Sequence, residues 1–271
     1  MPLNYGLIEP IDLPLPHLPV SLEGLRIAHL SDLHVRRLDG FHQRLIGQLG
    51  RIRLDLLVLT GDYMDQPGDE PAAARFLTKL LDQVRPSLGA FGVFGNHDTA
   101  QLRDAVADLP VRWLCDERCW LPQKPIELMG LGMPGHLEPD SVALALHRDG
   151  EADADATEES ERPLRLLLCH GPSSITTAAD LGADLFLCGH THGGQCRLPT
   201  GHALVNSTDL PLRLTSGLLR HRDTLAAISR GVGRAGVMPR LFCRPHVPLY
   251  TLHRRPCPGR FTQGIVNLRP W

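Results

Sequence analysis

The sequence repeats one arrangement five times: a short apolar run ends, and residues able to bind a metal follow at once. The five stretches are LRIAHLSDLH at 25–34, LDLLVLTGD at 54–62, AFGVFGNHD at 90–98, LRLLLCH at 164–170 and DLFLCGHTH at 184–192. The runs are apolar at both odd and even positions and are bounded by glycine or polar residues, which predicts strands buried on both faces. Any fold for this chain must therefore place polar side chains at the ends of five buried strands.

Helical patterns separate these predicted strands. Apolar residues at helical spacing predict helices over 71–84 and 99–109, with Thr99 as the N-cap of the second, and shorter patterns predict helices over 41–50 and 173–181. Strands that alternate with helices predict an α/β protein with a largely parallel sheet. Because sites in such sheets form beyond the carboxyl ends of the strands, we expect the five polar clusters to converge.

The rest of the chain follows other patterns. From about residue 203, short β segments such as TLAAISRG and VPLYTLH are broken by glycine and proline, and they suit a second sheet. The segment 149–163 carries seven acidic residues, and we interpret it as a solvated, mobile loop rather than a metal site. No linker divides the chain, so we expect a single domain over 1–271 with its core at about 25–255.

Composition narrows the class of protein. Charged residues make up 21% of the chain and its net charge is −2, so the sequence offers no basic patch for nucleic acid. No apolar stretch approaches the roughly 20 residues needed to span a bilayer, and residues 1–20 lack the pattern of a secretory signal. The seven cysteines have no disulfide-framework spacing, which is typical of reduced thiols. These features predict a cytoplasmic protein.

The polar residues after the five runs offer imidazole, carboxylate and amide groups without a thiolate. They are Asp32, His34, Asp62, Asn96, His97, Asp98, His170, His190 and His192. Such donors suit Mn²⁺, Fe or Zn²⁺ in five- or six-coordination better than a closed structural zinc site. One ion rarely needs about seven protein groups, whereas two ions about 3.5–4 Å apart that share a carboxylate do. The sequence therefore predicts a dinuclear metal centre.

Spacing within two of the blocks adds a constraint on the backbone. The ligands in DLH and GHTH are two residues apart, and such pairs share one side only on an extended or looped chain. The glycines around them are expected to let the backbone turn sharply and let a substrate come close.

The blocks DxH, GD, GNHD, H and GHTH, in this order, resemble those of the calcineurin-like metallophosphoesterases. The resemblance runs from about Leu25 to the C-terminus. The form GHTHGGQ and the tail GVGRAGVMPRLFCRPHVPLYTL are similar to the small bacterial phosphodiesterase branch, which more distantly includes enzymes that cleave UDP-diacylglucosamine. The resemblance implies a four-layer α/β/β/α sandwich of two mixed β-sheets flanked by helices, with the metals at one end of the packed sheets.

The same resemblance implies a role for each residue. Asp32, His34 and His192 would hold one metal, Asn96, His170 and His190 would hold the other, and Asp62 would bridge both, with Mn²⁺ as the first candidate ion. His97 would face the substrate and act as the acid, and Asp98 would hydrogen-bond His97 and fix its tautomer. The implied reaction is hydrolysis of a small-molecule phosphoester, above all a phosphodiester, by in-line attack of a hydroxide that bridges the metals.

Two features depart from the pattern of the family. Relatives often have HNPD at the isolated histidine, whereas this chain has CHGPSS at 169–174, which keeps the histidine and the proline and loses the acid. His136 stands where relatives of this branch often place an acid, and it is either a substrate contact or a surface loop histidine.

Two other functions stay open at this point. One is a non-catalytic metal-binding scaffold, although a scaffold would not need His97. The other is a UDP-diacylglucosamine-type pyrophosphatase that contacts a membrane surface peripherally. That enzyme requires an apolar face beside the metals, and the chain offers one candidate face unless it packs on the core: Phe41, Leu45, Ile46 and Leu49.

Overall fold

The structure is a computed structural model that describes residues 7–132, 162–257 and 264–271. Its helices are α1 (Gly40–Leu49), α2 (Glu70–Gln83), α3 (Ala100–Val106) and α4 (Ile175–Asp180). Its strands are β1 (Ile8–Pro14), β2 (Arg26–Leu30), β3 (Leu56–Thr60), β4 (Ala90–Val93), β5 (Val111–Trp113), β6 (Glu117–Leu121), β7 (Ile126–Gly130), β8 (Leu164–Leu168), β9 (Leu185–Cys188), β10 (Gly217–His221), β11 (Thr224–Ile228), β12 (Val247–His253) and β13 (Val266–Arg269). His136 and most of the predicted acidic loop at 149–163 lie outside the described residues.

The strands form two mixed sheets. The six-stranded sheet has the order β1-β12-β2-β3-β4-β5 and is parallel from β2 to β5. The seven-stranded sheet has the order β13-β10-β11-β9-β8-β7-β6 and is parallel from β11 to β7. The five predicted strands are β2, β3 and β4 in one sheet and β8 and β9 in the other. Because neighbouring strands run parallel, the polar residues after them lie along one edge of each sheet.

Three apolar cores separate four layers. Helices α1, α2 and α3 pack on the six-stranded sheet through a core that includes Leu45, Phe76 and Leu102. The two sheets share a second core. Helix α4 packs on the far face of the seven-stranded sheet through a third core that includes Ile175 and Phe186. The expected α/β/β/α sandwich is confirmed.

Strand β3 shows why the five predicted strands are apolar at both odd and even positions. Leu57 and Leu59 face the helices of the first core, whereas Leu56 and Val58 belong to the core between the sheets. A strand with a packed layer on each face has no solvent side, so alternation between apolar and polar residues is lost. The same geometry leaves the strand ends as the places where polar groups can gather.

Helix α1 begins where Asp39 caps it. The Asp39 carboxylate accepts hydrogen bonds from the backbone N–H groups of Phe41 at 2.9 Å and His42 at 3.2 Å. Three apolar residues of the helix, Leu45, Ile46 and Leu49, are buried in the helix–sheet core, and Phe41 packs against that core. The suggestion that this face forms a membrane lid is therefore wrong.

Two strands lie outside the predicted core limits of 25–255. Strand β1 pairs with β12 at the edge of the six-stranded sheet, where Pro10 and Pro14 are tolerated because an edge strand needs no full set of N–H donors. Strand β13 pairs with β10. The stretch VPLYTLH also differs from expectation, because as β12 it joins the first sheet rather than the second. None of the described helices is long and apolar enough to span a membrane.

Candidate metal centre

Side chains from both sheets converge where the strands end. Histidine and acidic side chains form three groups, and within each group the ligand atoms lie within 4.8 Å of one another. The first group consists of Asp32, His34, Asp62 and His192, the second of Asp62, His170 and His190, and a third combines His34 with Asp65 and His97. The first two, here called the ligand groups, contain all six predicted carboxylate and imidazole ligands, and Asp62 belongs to both.

The first group is held by residues after β2, β3 and β9. Nε2 of His34 lies 3.0 Å from Nε2 of His192 and 3.5 Å from Oδ2 of Asp62. Nε2 of His192 lies 3.4 Å from Oδ1 of Asp32. The second group is formed around His170, whose Nε2 lies 3.1 Å from Oδ2 of Asp62 and 3.2 Å from Nδ1 of His190. One oxygen of Asp62 therefore faces both sets of imidazole nitrogens.

These residues fit divalent cations. Asp32, His34, Asp62, His170 and His192 are all buried. Lone-pair donors that converge away from water are unfavourable unless a proton or a cation lies between them. Because the donors are imidazole nitrogens and carboxylate oxygens without sulfur, Mn²⁺, Fe and Zn²⁺ are the ions of matching chemistry.

The backbone of the ligands is unusual. Five of them have positive φ angles: 52° at Asp32, 42° at His34, 56° at Asp62, 69° at His190 and 51° at His192. The left-handed region costs a residue with a Cβ roughly 1–2 kcal/mol. The looped backbone expected for DLH and GHTH is present. Strain concentrated at five polar residues around one cluster is typical of a functional site.

Glycines at the centre make turns as expected and also make room for carboxylates. Gly193 and Gly194, within GHTHGG, have φ angles of 61° and 79°, so the expected turn is present. A Cβ on Gly189 would lie 1.9 Å from Oγ of Ser31 and 2.3 Å from Oδ2 of Asp32, and a Cβ on Gly95 would lie 2.2 Å from Oδ1 of Asp62. Gly189 and Gly95 thus give space to carboxylates of the chain itself, a use that the sequence did not suggest.

Crowding of like and unlike groups shifts pKa values in opposite directions. Burial disfavours a charge on His170, but the Asp62 and Asp32 carboxylates outweigh it and raise the pKa of this histidine to about 9. Burial lowers the pKa of His192 to about 4 in spite of the Asp32 carboxylate. Burial would raise the pKa of Asp62, yet His170 and His34 hold it below its usual range. A cation in the second group would thus displace a proton from His170.

His97 and Asp98 are not partnered as expected. Nδ1 of His97 donates to the backbone carbonyl of Asp65 at 2.5 Å. The Asp98 carboxylate instead accepts backbone N–H bonds from Gly95 at 2.8 Å, Asp62 at 2.9 Å and Tyr63 at 2.8 Å. Asp98 ties the GD loop to the GNHD loop, because a carboxylate can satisfy several N–H donors that no strand pairs. The prediction that it fixes the tautomer of His97 is wrong.

Asn96 is exposed, unlike most of the other predicted ligands. Its neighbours hold the backbone against the cluster, since the N–H of Gly95 donates to Asp98 and the N–H of His97 donates to Oδ1 of Asp62 at 3.0 Å. The position of Asn96 beside Asp62 is consistent with a ligand, and its role stays a prediction.

Several residues that support the cluster were not predicted. Oδ1 of Asp65 lies 3.2 Å from Nδ1 of His34, and Nη2 of Arg240 lies 3.3 Å from Nδ1 of His192. The backbone carbonyl of Thr60 lies 2.6 Å from Nδ1 of His170. The Asp65 carboxylate and the Thr60 carbonyl are acceptors, and acceptors of this kind orient metal-binding imidazoles through the ring N–H that does not face the metal. Arg240 is a donor only, so it places a positive charge beside His192 without accepting its N–H. Asp65, three residues after Asp62, could have been suspected from its proximity, whereas nothing local marks Arg240.

The altered block CHGPSS has a local explanation. Pro172–Ser174 form a short 3₁₀ helix, and Oγ of Ser174 lies 3.5 Å from Sγ of Cys169. Sγ of Cys169 also lies 3.6 Å from the carbonyl of Gly132. The turn after His170 therefore packs on the buried thiol of Cys169 through Ser174, while Ser173, at the position of the lost acid, is exposed.

The two packed mixed sheets carry histidines and carboxylates at their common end, and the class of protein follows from the family match. The chain belongs to the calcineurin-like phosphoesterase family, whose model matches residues 25–194. It is therefore a hydrolase of phosphoric ester bonds.

Three relatives place it within the family. The chain is 29% identical over 231 residues to the uncharacterized metallophosphoesterase YkoQ of Bacillus subtilis, which covers 84% of this chain and 83% of YkoQ. It is 30% identical over 243 residues to the phosphodiesterase YaeI of Escherichia coli, with 84% and 82% covered. A shorter match, 34% over 92 residues, joins 33% of this chain to 27% of the UDP-2,3-diacylglucosamine pyrophosphatase LpxG of Chlamydia muridarum. The small bacterial branch is thereby supported.

Proposed function

We propose that the protein is a phosphodiesterase that depends on two divalent metal ions. The observation that carries the proposal is the position of Asp62 in both ligand groups, since a shared carboxylate is what two adjacent ions require. In this proposal Asp32, His34 and His192 hold one ion, Asn96, His170 and His190 hold the other, and Asp62 bridges both. Mn²⁺ is the first candidate, with Fe or Zn²⁺ as substitutes of similar chemistry.

Metal ions in this centre, when bound, would supply Lewis acidity for the phosphoryl oxygens and a water acidic enough to attack near neutral pH. The contribution of the chain is to hold donors in place and to move a proton. His97 donates through Nδ1 to the carbonyl of Asp65, which leaves Nε2 as the ring nitrogen able to give a proton to a leaving oxygen. His97 is only partly buried, so a substrate can reach it.

A diester is proposed because YaeI, which matches most of the chain, carries that activity in its name. LpxG is named a pyrophosphatase, and its match covers 33% of this chain, so pyrophosphate bonds form the second substrate class to assay. A cytoplasmic location is proposed from the cysteines: all seven are free, and five are buried. A non-catalytic scaffold gains no support from the geometry, because the anchored His97 has no use in one.

The test is to purify the full chain, measure bound metals, and assay bis-p-nitrophenyl phosphate against p-nitrophenyl phosphate with added Mn²⁺. About two metals per chain and faster cleavage of the diester would support the proposal. Two metals with turnover of neither ester would favour a scaffold. No bound metal even after Mn²⁺ is supplied would overturn the dinuclear centre.

A further inference from the structure

Exposed apolar side chains are concentrated in one part of the surface. Among the described residues, eight of the ten large hydrophobic residues that are exposed lie between positions 198 and 242. They are Leu198, Leu204, Val205, Leu212, Val237, Met238, Leu241 and Phe242. Apolar residues exposed singly are ordinary, but a cluster of this kind marks a surface that meets something apolar.

The most exposed of these residues belong to residues 234–244, here named the apolar segment. Val237 is 92% exposed and Phe242 is 60% exposed, so these side chains project from the surface rather than line a groove. The short pairing of Leu241 with Cys196 places the segment next to the ribbon that carries Leu198 and Leu204. The exposed apolar residues of the segment and of this ribbon are thus neighbours in the fold, and together they are here named the apolar strip.

Polar contacts hold the apolar segment next to the metal centre. Sγ of Cys243 lies 3.2 Å from the carbonyl of His192, and Nη2 of Arg240 lies 3.3 Å from the ring of the same histidine. The Gln195 side-chain amide donates to the carbonyls of Ala235 at 3.1 Å and Met238 at 2.9 Å. Whatever the segment binds is therefore held beside the metal ligands.

The charge of the segment is of one sign. Residues 234–244 contain three arginines and no acidic residue, in a chain whose net charge is −2. Arg234 and Arg244 are exposed. Neither makes a hydrogen bond or ion pair with the parts of the chain that the structure describes, so both are available to an anionic partner.

We propose that the apolar segment docks the protein on an anionic lipid surface, with the metal centre at the level of the headgroups. A projecting apolar tip with arginines beside it matches a bilayer surface, which accepts apolar groups below its phosphates and attracts each nearby arginine by about 1 kcal/mol. A second copy of the chain fits less well, because a two-fold contact would place the same arginines against each other. The consequence that substrates are lipid-borne phosphoesters rests on the proposed function, whereas the docking does not.

The test is co-sedimentation of the purified full chain with vesicles. One set is pure phosphatidylcholine, and the other is an equal mixture of phosphatidylcholine and phosphatidylglycerol. The chain should bind the mixed vesicles, and the double variant Val237→Ser/Phe242→Ser should weaken that binding by tenfold or more, which is roughly the worth of one partly buried large side chain. Arg244→Gln should weaken it about fivefold.

Matched controls lie at the opposite end of the sheets. Val20→Ser changes a residue that is 62% exposed before β2, and Arg53→Gln changes an exposed arginine before β3. Both should leave vesicle binding unchanged. Turnover of bis-p-nitrophenyl phosphate without vesicles should be equal in the parent chain and in all variants. If none of these proteins cleaved the diester, the proposed function would be contradicted and the docking proposal would not.

Three results would overturn the docking proposal. The first is no binding to mixed vesicles by a chain that is folded. The second is binding that the double variant and Val20→Ser reduce equally. The third is a dimer in size-exclusion chromatography that the double variant converts to a monomer, which would assign the strip to self-association.

Discussion

Two histidines that lie a few residues apart in sequence, His29 and His34, have opposite surroundings. His29 lies within β2, where its Nε2 is 2.8 Å from the hydroxyl of Thr60 and its Nδ1 is 3.5 Å from the hydroxyl of Tyr250. His34 lies just past the same strand, where its Nε2 faces another imidazole at 3.0 Å. Both are buried, yet His29 is hydrogen-bonded to neutral hydroxyls, whereas Nε2 of His34 faces a nitrogen and a carboxylate oxygen that need a proton or a cation between them.

The two histidines differ in backbone conformation and in hydrogen-bond partners, and these two features distinguish a structural histidine from a candidate metal ligand. His29 occupies a regular strand, and its partners are side chains that suit an uncharged ring. His34 has a φ of 42°, which points to a backbone held by the requirements of the site. If this comparison is right, changes at the strand ends alter metal content, and changes at His29 alter stability.

The largest effect is expected for Asp62→Asn. An amide keeps the shape but loses the charge that faces both ligand groups, so both metals should be lost together. Turnover should fall by at least about a thousandfold, since the metals account for several kcal/mol of the barrier. Metal analysis and a diester assay measure this. Loss of one metal with retention of the other would argue against a shared carboxylate.

His97→Ala should separate catalysis from metal binding. Removal of the proton donor should lower turnover by about 10²–10⁴-fold while both metals stay bound. His202→Ala, at an exposed histidine that contacts Thr200 instead, is the matched control and should change neither. A His97→Ala protein that lost its metals would place His97 among the ligands.

Asp65→Asn tests whether the Asp65 carboxylate orients the His34 ring through Nδ1, the nitrogen that faces away from His192. Oδ1 of Asp65 lies 3.2 Å from Nδ1 of His34, and loss of such a contact typically weakens metal affinity by 10–100-fold. The weakening should affect one of two metals in a chelator titration, because His34, which Asp65 contacts, belongs to the first ligand group and not to the second. Asp69→Asn, at a half-buried carboxylate that accepts a hydrogen bond from the N–H of Gln66, should leave both affinities as they are.

The layers and most of the ligands could be predicted because local sequence dictates them. A strand such as β3, apolar on both faces, can only be a strand between two packed layers, and its neighbours must share its carboxyl edge. The partner of His97 could not be predicted, because a backbone carbonyl such as that of Asp65 has no signature in sequence. Nor could Arg240, which reaches His192 only through the fold. Strand β1 could not be predicted, because its sequence contains Pro10 and Pro14, and proline is tolerated only in a strand at the edge of a sheet.

The smallest effect concerns His29 and depends on pH. Burial outweighs the nearby Asp32 carboxylate and lowers the pKa of His29 to about 3, from 6.5 in an unfolded chain. The unfolded state therefore binds the proton more readily. Stability is at its full value above pH 6.5 and falls as the pH decreases toward 3, by about 1.4 kcal/mol per unit from this residue.

Between pH 7 and pH 5 the loss from His29 amounts to about 2 kcal/mol. His29→Gln keeps polar contacts with Thr60 and removes the titration. Urea unfolding at the two pH values should therefore show a smaller loss of stability for the variant than for the parent. The change in stability that comes from carboxylates is the same in both proteins and cancels in the comparison. Because His29 is not a ligand, its metal content should match that of the parent chain. If the parent and the variant lost equal stability between pH 7 and pH 5, or if the substitution removed metal, His29 would not differ from the predicted ligand histidines in the way described.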